Sequence, residues 1–118
     1  MNLNKPLNAL LASVLGAGVL LSGAVNAQNY PDKPVTLVVP FAAGGPTDSI
    51  ARLIAVPMGK SLGQTVVVEN APGAGGTVAS NKVAKAKPDG YMIYIHHMGM
   101  ATAQALYDKL PYDPMKDF

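Results

Sequence analysis

The stretch Pro34-Val35-Thr36-Leu37-Val38-Val39-Pro40-Phe41-Ala42-Ala43-Gly44-Gly45-Pro46-Thr47-Asp48 decides the fold. Residues 34–40 are β-branched and almost wholly apolar, the pattern of a strand covered on both faces. A glycine-rich turn follows. Pro46 suits a first helical turn, where its missing amide hydrogen costs nothing, and Asp48 places a negative charge where the helix start favours it. From there to Leu62, the residues Ile50, Leu53, Ile54, Met58 and Leu62 recur at helical spacing and form one apolar stripe, the face a helix ordinarily turns to the core. Gly63 is the expected C-terminal stop. Pro57 lies inside this helix, where it removes the bond to the Leu53 carbonyl, so a kink or an early break is expected there.

Two further strand-like segments lie downstream, at 64–70 around Val66-Val67-Val68 and at 91–96 around Met92-Ile93-Tyr94-Ile95. A second helix is expected over 76–86, with Ala79, Val83 and Ala86 inward, and the Pro88-Asp89-Gly90 turn leads into the third strand. A short helix is expected over 101–107. Strand–helix–strand–helix–strand order implies parallel pairing with right-handed crossovers, hence an open α/β sheet with helices on both faces.

Before Tyr30 the only charge is Lys5, followed by an apolar, small-residue run over 7–27 that ends in Val25-Asn26-Ala27. This order describes a secretory signal peptide cleaved after Ala27. The rival reading is a membrane anchor, since the run is long enough to span a bilayer. Gly16, Gly18 and Gly23 dilute it, and no aromatic or basic interface cluster follows. The chain has no cysteine, which excludes disulfides and a lipid-modified cysteine at the mature start. A soluble periplasmic product is expected. Formal net charge is only +2, and the basic side chains are scattered apart from Lys82, Lys85 and Lys87, so no nucleic-acid partner is expected. Residues 28–118 read as part of a larger lobe, with truncation suspected at Phe118.

In an open parallel sheet, ligands bind beyond the carboxyl ends of the strands. Both loops at that edge are rich in glycine: 40–48, already quoted, and Glu69-Asn70-Ala71-Pro72-Gly73-Ala74-Gly75-Gly76-Thr77. Each leads into a helix start, whose unpaired amides make an anion site without a cationic side chain. Neither loop contains Lys or Arg, so the expected guest is a moderately charged anion, one carboxylate gripped by backbone amides with Thr47 and Thr77. The alternative is that the glycines only make tight turns; two such loops at equivalent places on neighbouring strands speak against it.

Other chemistries fare worse. Gly73-Ala74-Gly75 would need its third glycine at Val78 to be a dinucleotide fingerprint, and Gly59-Lys60-Ser61 would need a glycine at Ile54 to be a phosphate loop. Adjacent strand residues point to opposite faces, so His96 and His97 are not expected to share a metal ion. One of the two is expected to line the pocket as a hydrogen-bond donor, with His97 the candidate, or else both are packing residues. Ser49 lacks the flanking glycines of a nucleophile elbow, and no histidine is placed by sequence to activate it. Asp48 and Glu69 read as capping and bracing groups. No enzyme activity, cofactor or metal is expected, although an exported α/β hydrolase-like enzyme, a small interaction module and a non-functional truncated fragment stand as alternatives.

The ordered set of motifs resembles the receptors of tripartite tricarboxylate transporters, the Bug family. It comprises the run 38–48, Val67-Val68-Glu69-Asn70 with Pro72-Gly73-Ala74-Gly75-Gly76, the turn Pro88-Asp89-Gly90-Tyr91, and Leu106-Tyr107 before Leu110-Pro111-Tyr112-Asp113-Pro114. Together these motifs extend over nearly all of residues 30–118. The chain departs from the pattern at Ala43, where proline is common, and at Ala71, where arginine is usual. The resemblance implies a type II-like periplasmic binding protein of two lobes, of which this chain holds part of the first. It further implies a monomer that captures small carboxylates and hands them to membrane transporter subunits or to a sensor-kinase ectodomain. The resemblance implies that backbone amides of the two glycine loops hold one carboxylate; with the residue reading above, the expected ligand-binding residues are Phe41, Ala42, Gly44, Gly45, Thr47, Asp48, Gly75, Gly76, Thr77 and His97.

Overall fold

A computed structural model describes residues 30–118; the expected signal peptide at 1–27 lies outside the described residues. The elements are β1 (Val35–Val39), α1 (Pro46–Leu62), β2 (Val66–Asn70), a single 3-10 turn (Ala74–Gly76), α2 (Thr77–Ala84), β3 (Met92–Tyr94) and α3 (Gly99–Leu106). The strands form one parallel sheet in the order β2-β1-β3, with Val35 opposite Val66 and Thr36 opposite Met92. The expected open α/β sheet is therefore present. Right-handed crossovers that leave β1 toward β2, and then return past β1 to β3, place α1 and α2 on opposite faces. That explains why β1 alone reads as a continuous apolar run: Val35, Leu37, Val38 and Val39 are all buried.

Two expectations for α1 need correction. The helix does not break at Pro57 and is continuous from Pro46 to Leu62. Pro57 and Leu53 both lie on the solvent side, where water can satisfy the carbonyl that loses its donor. The stripe of Ile50, Leu53 and Ile54 does not face the sheet either; these side chains are exposed, Leu53 at 73%. The helix lies down instead on Asp48, Ala51 and Ala55, which are buried. Small residues let the backbone come close, and at Gly59 a Cβ would stand 3.0 Å from the Gln64 carbonyl. Asp48 must also reach the end of β2, and that fixes the rotation of the helix. The core joins Leu37, Val39 and Ala51, with Phe41, Val66, Val68, Ile93 and Ile95 packed around them.

In α2, which ends at Ala84, two residues short of the expected 86, Ala79 and Ser80 are fully buried and Val83 is half-buried; Ala86, also half-buried, follows the helix. β3 ends at Tyr94, two residues short of the expected boundary. Gly63 closes α1 in the left-handed conformation, as expected. Among the described residues no helix is long and apolar enough to cross a membrane.

Candidate functional site

Parallel pairing puts the ends of β1, β2 and β3 on one edge of the sheet, so both glycine loops leave from that edge. They are tied there by the Ala71 amide, which donates to the Val39 carbonyl at 2.8 Å. A cavity of about 580 Å³ opens over the first loop, lined by residues 41–47 and His97.

The first loop is fixed from below by Asp48. One carboxylate oxygen accepts from the Gly44 amide at 2.8 Å and from Arg52 Nε at 2.9 Å. The other accepts from Asn70 Nδ2 at 2.9 Å, and the same nitrogen donates to the Phe41 carbonyl at 3.0 Å. The Arg52 guanidinium, with help from the Gly44 amide and Asn70, holds the buried Asp48 carboxyl well below the usual carboxylate range. Both oxygens are thus occupied within the protein, and Asp48 braces the loop while Arg52 offsets its charge. Arg52 stands in none of the sequence motifs, and Asn70, part of the Val67-Val68-Glu69-Asn70 motif, gives no sign there of its bond to Asp48. The four-residue steps from Gly44 to Asp48 and from Asp48 to Arg52 were the available signal, since residues one turn apart are neighbours on a helix.

The amides of Gly44 and Gly45 are turned inward, the latter toward the Ala42 carbonyl at 3.4 Å. Among the described residues, the amides without an acceptor at this loop belong to Phe41, Ala42, Ala43, Thr47 and Asp48, and the Thr47 hydroxyl is also uncommitted. Two of these amides belong to the first turn of α1, where the helix carries partial positive charge.

The second loop is tighter. Gly76 donates its amide to the Gly73 carbonyl at 2.9 Å, and Thr77 turns its hydroxyl onto the Ala74 carbonyl at 3.0 Å. Ala74 and Gly75 keep amides without an acceptor among the described residues. Gly76, at φ +98°, is buried; a Cβ there would stand 2.7 Å from His96 Nε2 and 3.2 Å from Pro40 Cβ. Gly75, at φ +64°, lies under the Tyr107 hydroxyl, which donates to the Ala74 carbonyl at 3.3 Å. The cavity over the first loop does not reach Gly75, Gly76 or Thr77.

Because β3 stops at Tyr94, the alternation expected for His96 and His97 does not hold. Both rings turn onto Phe41. His97 stacks on it with centroids 4.7 Å apart, and His96 meets it edge-on at 5.6 Å. His97 Nδ1 accepts from the Gly99 amide at 2.9 Å, while His96 Nδ1 lies 2.8 Å from the His97 amide and 3.0 Å from the His97 carbonyl. A neutral His97 ring with Nδ1 so occupied carries its proton on Nε2. Burial pushes the His96 imidazole below its ordinary value. His96 touches Phe41 on one side and Gly76 on the other.

The model of the family described as "Tripartite tricarboxylate transporter family receptor" matches residues 50–118. The chain belongs to the tripartite tricarboxylate transporter receptor family. Among curated relatives of these receptors, a UPF0065 protein of Agrobacterium vitis is 50% identical over 113 residues, which cover 95% of this chain and 33% of that protein. Among solved receptor structures, the periplasmic binding protein BugD superposes with a TM-score of 0.73 at 55% identity, over 75% of this chain and 30% of its own. MatC from Rhodopseudomonas palustris, solved with bound malate, superposes with a TM-score of 0.72 at 52% identity, over 75% of this chain and 31% of its own. The chain spans about a third of the length of the relatives it matches.

Proposed function

We propose that the chain is the N-terminal part of the first lobe of a periplasmic receptor that captures small carboxylates. The observation that carries the reading is the cavity at the carboxyl edge of the sheet, lined by Ala42, Ala43 and Thr47, whose amides have no acceptor among the described residues, and by His97. Such groups complement a carboxylate without a cation. The described Lys and Arg side chains nearest the loops are engaged elsewhere, Arg52 with Asp48 and Lys82 with Glu69. Malate in MatC, which is about half identical to this chain, supports the same ligand class here.

In this reading Phe41 and His97 form the aromatic wall of the site, Gly44 and Gly45 shape the first loop, Thr47 supplies a hydroxyl donor, and Thr77 holds the second loop through its bond to the Ala74 carbonyl. Asp48 acts through the loop it braces. Ala74 and Gly75 add the donors of the second loop, and Gly76 allows that loop to approach Pro40. The protein binds and does not catalyse. It is exported with residues 1–27 removed, and it passes its ligand to membrane transporter subunits or to a sensor-kinase ectodomain.

Isothermal titration calorimetry with malate and a panel of other di- and tricarboxylic acids, beside their neutral amides, tests this function. Saturable heat with an acid and none with its amide is the expected result; silence across all the acids would count against it. Mass spectrometry of the exported product should give Gln28 as the first residue.

A further inference from the structure

We infer that Ser80 and Tyr94 form a latch that positions the second glycine loop for the ligand, a role that rests on the proposed reading of these loops as a carboxylate cradle. The two loops are held by the same construction. In the first, Asp48 stands four residues after Gly44, reaches back to its backbone, and is met by Asn70, the last residue of β2. In the second, Ser80 stands four residues after Gly76, reaches back to its backbone at 3.1 Å, and is met at 2.9 Å by Tyr94, the last residue of β3. In each case one side chain comes from the first turns of the helix after the loop, and its partner comes from the end of the next strand.

The polarity differs. Asp48 draws in an N–H, whereas Ser80 draws in a carbonyl. Each hydroxyl has one proton, so the satisfied arrangement is a relay in which Tyr94 donates to Ser80 and Ser80 donates to the Gly76 carbonyl. The direct Tyr94 to Gly76 contact, at 3.4 Å, is too long to be the main bond. Ser80 is fully buried, where a hydroxyl without a partner is costly. Burial also pushes the Tyr94 phenol above its ordinary value, which keeps its proton available.

A serine that bonds back one turn within a helix ordinarily gains little. Here the bond fixes the Gly76 carbonyl, directly after Ala74 and Gly75, whose amides have no acceptor among the described residues. Gly76 cannot be locked by a side chain of its own, because Pro40 and His96 fill the space a Cβ would need.

The test uses the ¹⁵N-labelled chain, amide spectra and malate titration on the wild type, Ser80→Ala and Tyr94→Phe. Ser80→Ala removes both links of the relay. It should move the Ala74 and Gly75 amide resonances more than those of Ala42 and Ala43 and weaken malate about tenfold. Tyr94→Phe keeps the ring and the Ser80 to Gly76 bond, so the same pattern should appear with about a twofold loss. An unchanged malate Kd in Ser80→Ala overturns the latch, and so does a loss accompanied by equal shifts throughout the chain, the mark of a general folding defect. A wild type that ignores malate defeats the binding function instead; the Ala74 and Gly75 resonances then still decide the latch, which unmoved signals would overturn.

Discussion

The imidazole of His97 lies flat on the ring of Phe41, with centroids 4.7 Å apart and the planes 6° from parallel. This contact joins the end of the third strand to the first glycine loop and builds one wall of the cavity. The Gly99 amide occupies His97 Nδ1, which leaves Nε2 as the donor. His97→Phe keeps the stacked wall but loses both ring nitrogens, the Nε2 donor and the Nδ1 acceptor of the Gly99 amide, so malate should bind at least about 2- to 10-fold more weakly, the range of one neutral hydrogen bond. His97→Ala should lose more, because the ring contact goes as well. Calorimetry on the two variants checks the order; a His97→Phe variant that binds like the wild type contradicts the role of Nε2.

Asp48 makes stability depend on pH. Its folded-state carboxyl is held below its unfolded value by Arg52, Gly44 and Asn70, so it contributes stability above the unfolded value of about 4. That contribution is lost as the pH falls further toward the folded value. Asp48→Asn should therefore be less stable than the wild type at pH 7, with a gap that narrows below about pH 4. Urea midpoints at pH 7, 5, 3 and 2 measure it. A gap that stays constant to pH 2 would remove Asp48 as the charged brace.

Much of this arrangement was legible in the chain. The apolar run of β1, the glycine loops and the helix stop at Gly63 follow from local chemistry, because each is set by residues a few positions apart. The rotation of α1 was not legible. Ile50, Leu53 and Ile54 carry the stronger apolar period, yet Asp48 has to meet Asn70 across 22 positions of sequence, and that long-range bond turns the stripe outward. The alternation expected for His96 and His97 fails for a related reason: β3 ends at Tyr94, so the strand rule does not reach them. Ser80 resembles any small helix residue until Tyr94 is seen against it.

Gly76 tests the close packing beneath the second loop. A methyl group there meets Pro40 and His96 and must adopt φ +98°, a conformation an L side chain rarely takes. Gly76→Ala should cost more than about 1 kcal/mol of stability and shift the His96 ring resonances. Chemical denaturation with histidine-ring NMR reads both; a variant as stable as the wild type contradicts the tight approach.

Salt distinguishes dipoles from free cations. Arg52 and Lys82 are engaged in ion pairs, and the residues that line the cavity include no Lys or Arg. The malate Kd should change by less than about twofold between 50 and 500 mM sodium chloride, since fixed short-range donors are screened far less than exposed charges. A tenfold weakening would reveal a cationic contact.

The amide spectrum of the ¹⁵N-labelled chain during titration with malate bears most directly on the binding site. The amides of Ala42, Ala43, Thr47 and Asp48 should shift most, followed by Ala74 and Gly75, with saturation at a common Kd. Shifts confined to the opposite edge of the sheet, around Gly59, Gly63 and Val66, or a spectrum indifferent to malate, would contradict a carboxylate held by these loops.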